Sequence, residues 1–330
     1  MKKYISMLLA AVMAVCCLCA CSQKISDTST QIKEHQEKKM KVVTTIFPEY
    51  DWIKEIAGEE VSNMDLTMLL DNGADIHSYQ PTAEDIMKIS ECDLFIYVAG
   101  GSDTWVEDAL KEGTNKNRKV INLFDVLGSS VKEEEIVEGM KAEKEAGAEE
   151  EPEYDEHVWL SLKNAKVLCK AIADELAEMD PEHADTYQEN EKAYAEQLDE
   201  LDKKYQETVD SASRKTLLFG DRFPFRYMAD DYGLSYYAAF AGCSAETEAS
   251  FETITFLAGK MDELGLKNIM TIENSDQKIA KTIIQNTKEK NQGILAMDSM
   301  QSVTSDDVEK GATYLSIMEK NLNSLKKALQ

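Results

Sequence analysis

The sequence predicts an α/β protein: two lobes of parallel strands flanked by helices, joined by one long helix. Three observations carry this. Short apolar runs alternate with amphipathic stretches along most of the chain, and strand–helix–strand units of that kind build parallel sheets. The length of 330 residues exceeds what one hydrophobic core usually serves, and a hydrophobic share of 43% can fill two. Between the two alternating series, the stretch from Asp180 to about Ser211 keeps Tyr187, Tyr194, Leu198, Leu201 and Tyr205 on one stripe. Some thirty helical residues at about 1.5 Å each reach roughly 45 Å, enough to cross both lobes.

In the first lobe, "KVVTTIF" (Lys41 to Phe47) reads as a strand, and Pro48 to Gly58 as a helix with Tyr50, Ile53 and Ile56 on one face. Asp65 to Leu70 is a strand closed by "DNG", and Thr82 to Ser90 is a helix opened by a Thr-x-x-Asp cap. "CDLFIYVAGG" and Arg118 to Phe124 are further strands. Residues 132–156 interrupt the pattern with twelve acidic residues against three lysines, a self-repelling run that predicts an acidic loop. Its position just before His157 would let it collect cations. The long helix takes Asp180 as cap and Pro181 as its first residue. In the second lobe, "KTLLF" (Lys215 to Phe219) is a strand that stops at Gly220, and "LSYYAAF" is the next. A helix from Ser250 to Leu264, strand "NIMTI", a helix from Asp276 to Glu289, strand "GILAM" and a closing helix from Asp306 complete it.

The N-terminus pairs Lys2 and Lys3 with an apolar run from Ile5 to Leu18, too short to span a membrane comfortably. It ends in "LCAC" before polar residues, the form of a lipobox, which predicts cleavage before Cys21 and lipid on its thiol. The expected organisation is therefore a signal peptide (1–20), a tether (21–40), an N-terminal lobe (41–179), a linking helix (180–211) and a C-terminal lobe (212–330). Of seven cysteines, Cys92, Cys169 and Cys243 remain in the body of the chain. They have no metal-type spacing and read as buried free thiols, with zinc–thiolate chemistry disfavoured. The net charge of −26 excludes nucleic acid as a partner.

Among four histidines, His35 lies in the tether and His183 in the first turn of the long helix, where a solvated role suffices. His77 in "GADIHSYQ" and His157 in "YDEHVWL" each sit in a loop before a helix. In open α/β sheets ligands bind at the carboxyl ends of strands. Asp221 and Arg222 follow "LLFG", and Glu273 and Asp276 follow "IMTI", at the same kind of edge. Two imidazoles with carboxylates suit zinc or manganese.

Across residues 41–330 the sequence resembles the solute-binding lipoproteins of ABC transporters for zinc and manganese, cluster A-I, of the zinc-uptake and pneumococcal-adhesin type. The pieces that carry the resemblance are "VVTTIFPEYDWIKEIAGE", "GADIHSYQPTAEDI", "CDLFIYVAGG", "DEHVWLSLKNA", "DPEHADTYQENEKAYAEQLDELD", "YMADDYGL", "ETEAS" and "GATYLSIMEKNL", in that order. The resemblance implies two α/β lobes on one rigid helix with the metal held between them. It places the family's first two ligands on His77 and His157, and its fourth, an acid, on Glu273 or Asp276. The third, a His or Glu five residues before the Tyr at Tyr227, falls on Arg222, which stays protonated and cannot ligate. Three readings follow. Asp221 takes the metal; or Arg222 pairs with Glu273, Asp276 or Asp221 and leaves two imidazoles, one acid and water; or Arg222 and Arg226 grip an anion or a chelated metal. The sequence also departs from the family at Ser161-Leu162, where Asp-Pro is usual, and in having acids where zinc-type members have a histidine-rich run.

The implied function is capture of Zn2+, with Mn2+ or iron as alternatives, by a monomer anchored through lipid to the outer face of the cell membrane, for delivery to an ABC permease. Adhesion to surface proteins is a further possibility within the class. An enzyme is not expected: no nucleophile elbow or metal-plus-base motif is present, and "VAGGSDTW" lacks the phosphate-loop pattern.

Overall fold

A computed structural model describes residues 39–111, 113–140, 153–244 and 248–330. The signal segment, Cys21, nearly all of the tether and residues 141–152 of the acidic loop lie outside the described residues. Among those described, no helix is long and apolar enough to cross a membrane.

The first sheet contains β1 (Met40–Thr44), β2 (Met64–Met68), β3 (Leu94–Tyr97) and β4 (Lys119–Asn122) in the order β2-β1-β3-β4. The second contains β5 (Thr216–Phe223), β6 (Ser235–Ala241), β7 (Asn268–Ile272) and β8 (Gly293–Met297) in the order β6-β5-β7-β8. Every pairing is parallel. All carboxyl ends of a sheet therefore open on one edge, where a ligand site belongs.

Helices α1 (Phe47–Ala57), α2 (Ala83–Glu91), α3 (Val106–Lys111), α4 (Leu123–Leu127) and α5 (Leu162–Met179) flank the first sheet. Helices α7 (Arg226–Tyr232), α8 (Phe251–Leu264), α9 (Lys278–Asn286), α10 (Ser305–Glu309) and α11 (Tyr314–Ala328) belong to the second. Between the series runs α6 (Ala184–Ser211), 28 residues and so about 42 Å long. Its stripe of Tyr187, Tyr194, Leu198, Leu201 and Tyr205 is buried, as the periodicity predicts. Near its start, Asn190 Nδ2 donates to Ile56 O at the end of α1 (3.0 Å), and near its end the Tyr205 hydroxyl donates to Met318 O in α11 (2.7 Å). One helix is thus tied to both halves. The main apolar core runs through both, and a second cluster around Leu218, Leu257, Ile269 and Ile283 fills the space under α8 and α9.

Several boundaries differ from the sequence reading, and at four places the local reason is plain. The strand expected to reach Phe124 stops at Asn122, because the Asn122 side chain accepts from Asp125 N (3.1 Å) and caps α4. Asp180 does not open the long helix. Its carboxylate accepts from His183 Nδ1 and the Tyr187 hydroxyl, both at 2.7 Å, and ties a turn between α5 and α6. The strand expected to end at Gly220 continues to Phe223, with a register shift against β6 between Phe219 and Arg222. Asp221 and Arg222 are therefore strand residues at an irregularity. The closing helix is two helices, with Thr313 capping the second.

Asp51 on α1 links the halves again: its Oδ2 accepts from Tyr314 N (2.7 Å), while its buried Oδ1 has no hydrogen-bond partner. Burial pushes this carboxyl up to about 6 from an ordinary 3.8. The folded protein then holds the proton more tightly than the unfolded chain, so this group's contribution to stability falls as pH rises from about 4 to about 6. In urea denaturation of the metal-free protein, Asp51 should account for a loss of up to about 3 kcal/mol over that interval. Asp51→Asn, which still offers Tyr314 an acceptor, should lose that part of the slope; an unchanged slope in the variant contradicts the assignment.

Candidate metal centre

His77 sits in the turn that follows β2, an edge strand. Asp75 fixes the turn: its Oδ1 accepts from His77 N (3.0 Å) at the start of a single 3-10 turn, Ile76–Ser78, and Ile76 is buried beneath it. His157 follows the acidic segment and is fully buried. Asp155 Oδ1 accepts from both its backbone N and its ring Nδ1, each at 2.9 Å. The two rings meet Nε2 to Nε2 at 3.2 Å.

The Nδ1 partners decide what those Nε2 atoms offer. A carboxylate is an acceptor only, so Asp155 assigns the His157 proton to Nδ1 and leaves a lone pair on Nε2. For His77, Nδ1 lies 2.9 Å from Ser102 Oγ and 3.4 Å from Glu156 Oε2, which favours the same tautomer. Two lone pairs then point at one another across 3.2 Å, an arrangement that a cation between them relieves. With Zn–N bonds of about 2.0–2.1 Å, two nitrogens of a tetrahedral site lie about 3.3–3.4 Å apart, close to the observed spacing.

The loop after β3 supplies the outer support. Ala99 and Gly100 both have positive φ (84° and 94°), and Asp103 Oδ2 accepts from Ala99 N (3.0 Å), which turns the chain back toward His77. Ser102 N donates to Glu156 Oε1 (2.7 Å). Burial works to raise the Glu156 carboxyl, but His77 and Ser102 together hold it below its usual range. A Cβ on Gly100 would stand 2.6 Å from the Glu156 side chain, so both the backbone angle and the close approach call for glycine there. Burial pushes the Asp103 carboxyl up to about 7, and the nearby Glu156 charge adds to the effect.

The second half closes over His157. The Tyr227 hydroxyl donates to Asp155 O (2.8 Å), Trp159 Nε1 donates to Ser299 O (2.8 Å), and Ser161 Oγ donates to Asp231 Oδ2 (2.6 Å). Ser161, at the family's Asp-Pro position, also caps α5 by accepting from Asn164 N (3.0 Å). Gly242 lies against the His157 ring: a Cβ there would come within 3.2 Å of Cε1 and 2.9 Å of Phe223 O.

A cleft of about 450 Å³ opens beside His77 and is lined by Asp75, Asp221, Arg222, Glu273 and Asp276, among others. The acids named from the sequence line this cleft but are engaged elsewhere. Asp221 accepts from Ser275 Oγ (2.5 Å) and from Arg222 N (2.9 Å). Glu273 accepts from Ser299 N (2.7 Å) and Ser299 Oγ (2.6 Å), and burial, reinforced by Asp298, raises its carboxyl. Asp276 is exposed and paired with Lys278 (2.5 Å), whose hydrogen bond lowers its carboxyl. Arg222 pairs with none of the three carboxylates expected for it. Its guanidinium binds Asp75, the residue that caps the His77 turn. Burial works to raise Asp75, but Arg222 brings its carboxyl below the ordinary value. Arg226 faces Asp230 one turn along its own helix (3.7 Å), and Phe223, Phe225 and Tyr227 are core residues.

Sequence reasoning missed Cys243. It follows edge strand β6, and its Sγ joins one nitrogen each of His77 and His157 in a cluster whose atoms all lie within 4.8 Å of one another. Among the described residues no other group of three such side chains is found, and Asp221, Glu273 and Asp276 do not belong to it. Cys243 N donates to Glu134 Oε1 (2.8 Å), which fixes its backbone from the acidic segment. Burial, with Asp155 and Glu134 nearby, pushes its thiol well above the usual range. The available signal was its place at the carboxyl end of "SYYAAFAGC". All three cysteines among the described residues are free thiols; Cys92 and Cys169 are buried, and Cys243 is half-buried.

Two parallel-sheet halves tied to one long helix, with a pair of buried imidazoles converging where strand ends meet, describe a solute-binding protein of the metal-receptor kind. The chain belongs to the ZnuA family, described as "Zinc-uptake complex component A periplasmic", which it matches over residues 42–328. The family is one of solute-binding transport proteins rather than an enzyme class. The chain is 34% identical over 327 residues to the zinc-binding lipoprotein AdcA of Streptococcus pneumoniae serotype 4, covering 99% of this chain and 61% of that protein. To the zinc-binding protein AdcA of Streptococcus pyogenes serotype M6 it is 31% identical over 296 residues, 88% of this chain and 56% of that one. The chain thus spans little more than half the length of these relatives. The crystal structure of the Zn(II)-bound ZnuA-like domain of S. pneumoniae AdcA superposes with a TM-score of 0.68 at 30% identity, covering 88% of this chain and 99% of that domain.

If Arg222 holds the His77 turn through Asp75, removing either partner loosens one imidazole. Arg222→Ala and Asp75→Ala should each weaken zinc binding by about 10–100-fold in competition titration, and the double variant should add little to either. Unchanged affinity in Arg222→Ala contradicts this role.

Proposed function

We propose that this chain captures zinc between the Nε2 atoms of His77 and His157 and delivers it to the permease of an ABC importer. The observation that carries the reading is the 3.2 Å approach of two imidazoles whose Nδ1 atoms are each turned toward a carboxylate. Carboxylate-oriented imidazole is a recurrent zinc-ligand arrangement. Family membership and relatives named for zinc support it. Asp221 and Glu273 line the cleft beside the site and serve as its polar wall, and Asp276 helps to hold the loop after β7. In this reading residues 41–179 and 212–330 are the lobes and 180–211 the link between them. Lipid on Cys21 holds the protein at the outer face of the membrane, as the name of the pneumococcal relative supports. The clamps on residues 155–161 favour small loop movements on binding over rotation of whole lobes.

Thermal unfolding tests the reading. At free zinc about 100-fold above Kd the stabilisation is about 2.7 kcal/mol, which for a chain of this size raises Tm by roughly 4 °C. His77→Ala and His157→Ala should abolish that rise. A wild-type protein indifferent to zinc, or alanine variants that keep the full shift, would overturn the proposal.

A further inference from the structure

We infer that Cys243 is the third protein ligand, so that the centre is a His2Cys site and discriminates against manganese. The inference rests on zinc capture at His77 and His157 and adds to it the donor that sets metal preference. Three observations carry it. The residue at the position of the missing imidazole or carboxylate, Arg222, is committed to Asp75 and carries a permanent positive charge, so that position contributes no ligand. The carboxylates of Asp221 and Glu273 are engaged by serine hydroxyls and by backbone or side-chain donors of the second half. The sulfur of Cys243 alone joins the two ring nitrogens in one cluster among the described residues.

The local structure is arranged to put sulfur there. Glu134 accepts from Cys243 N, and Gly242, the preceding residue, lacks the side chain that would strike the His157 ring. The thiol therefore approaches the imidazole pair from the second half, while both imidazoles come from loops of the first. Zinc binding is then an exchange in which the Cys243 S–H bond breaks, an S–Zn bond forms, and the proton passes to solvent. No electron is transferred. A thiolate donor suits zinc, whereas manganese prefers carboxylate, carbonyl and water oxygens. Three protein ligands leave one tetrahedral position toward the cleft for water.

Cobalt(II) is the probe, because a cysteine ligand gives it a thiolate-to-metal charge-transfer band in the near ultraviolet that imidazole and carboxylate do not. The full chain loaded with one equivalent of Co2+ should show that band. Cys243→Ser should lose it and should bind zinc more weakly by more than the ~10–100-fold that an outer partner contributes. Cys243→His should recover zinc affinity without the band, which separates lost ligation from lost folding. Zinc should protect Cys243 from alkylation, with buried Cys92 and Cys169 as internal references. Manganese in excess should neither protect it nor displace zinc. Tight zinc binding with no charge-transfer band, or with Cys243→Ser at wild-type affinity, overturns the thiolate ligand and leaves zinc capture by the two imidazoles intact. A wild-type chain that binds no zinc overturns both.

Discussion

The proposed zinc capture depends on holding two imidazoles with their Nε2 atoms 3.2 Å apart. Left alone, that contact is unfavourable when both rings carry their proton on Nδ1. The protein meets the cost with carboxylates. Asp155 grips His157 at two points, and Glu156, with Ser102, faces His77. Consecutive acids thus orient two histidines eighty positions apart. Their own burial is tolerable because each is bonded, Asp155 to the His157 backbone and ring and Glu156 to the Ser102 amide.

The second constraint is that the imidazole pair belongs to the first half while its enclosure belongs to the second. Tyr227, Asp231 and Ser299 fasten the segment 155–161, and Arg222 fastens Asp75. Ser299 in turn engages Glu273. A hydrogen-bonded path therefore runs from the Trp159 indole, tilted against the His157 ring with centroids 5.3 Å apart, to the carboxylate that walls the cleft. The long helix bonded to Ile56 and Met318 keeps the two halves in the register these contacts need.

Much of this was legible in the sequence. Alternating apolar runs predicted both parallel sheets, "NIMTI" and "GILAM" to the residue, and the tyrosine–leucine stripe predicted α6. His77 and His157 stood out because histidines are few and both precede helices. What escaped depends on pairings between distant segments. No local pattern says that Arg222 reaches Asp75, 147 positions away. Cys243 has no metal-type spacing because its companions lie in other loops, so only the folded chain brings it to them. Asp221 and Asp276 looked like ligands because strand ends are where ligands bind, yet nearby serine and lysine side chains engage them. Burial and hydrogen bonding, which decide whether a carboxylate is free, are properties of packing and not of spacing.

X-ray absorption at the zinc edge, on the purified protein loaded with one equivalent of Zn2+, tests capture by the imidazole pair most directly. The spectrum should show two imidazole nitrogens at about 2.0–2.1 Å with the outer-shell scattering of intact rings, together with one sulfur at about 2.3 Å. A first shell of oxygens without imidazole scattering would contradict zinc capture by His77 and His157.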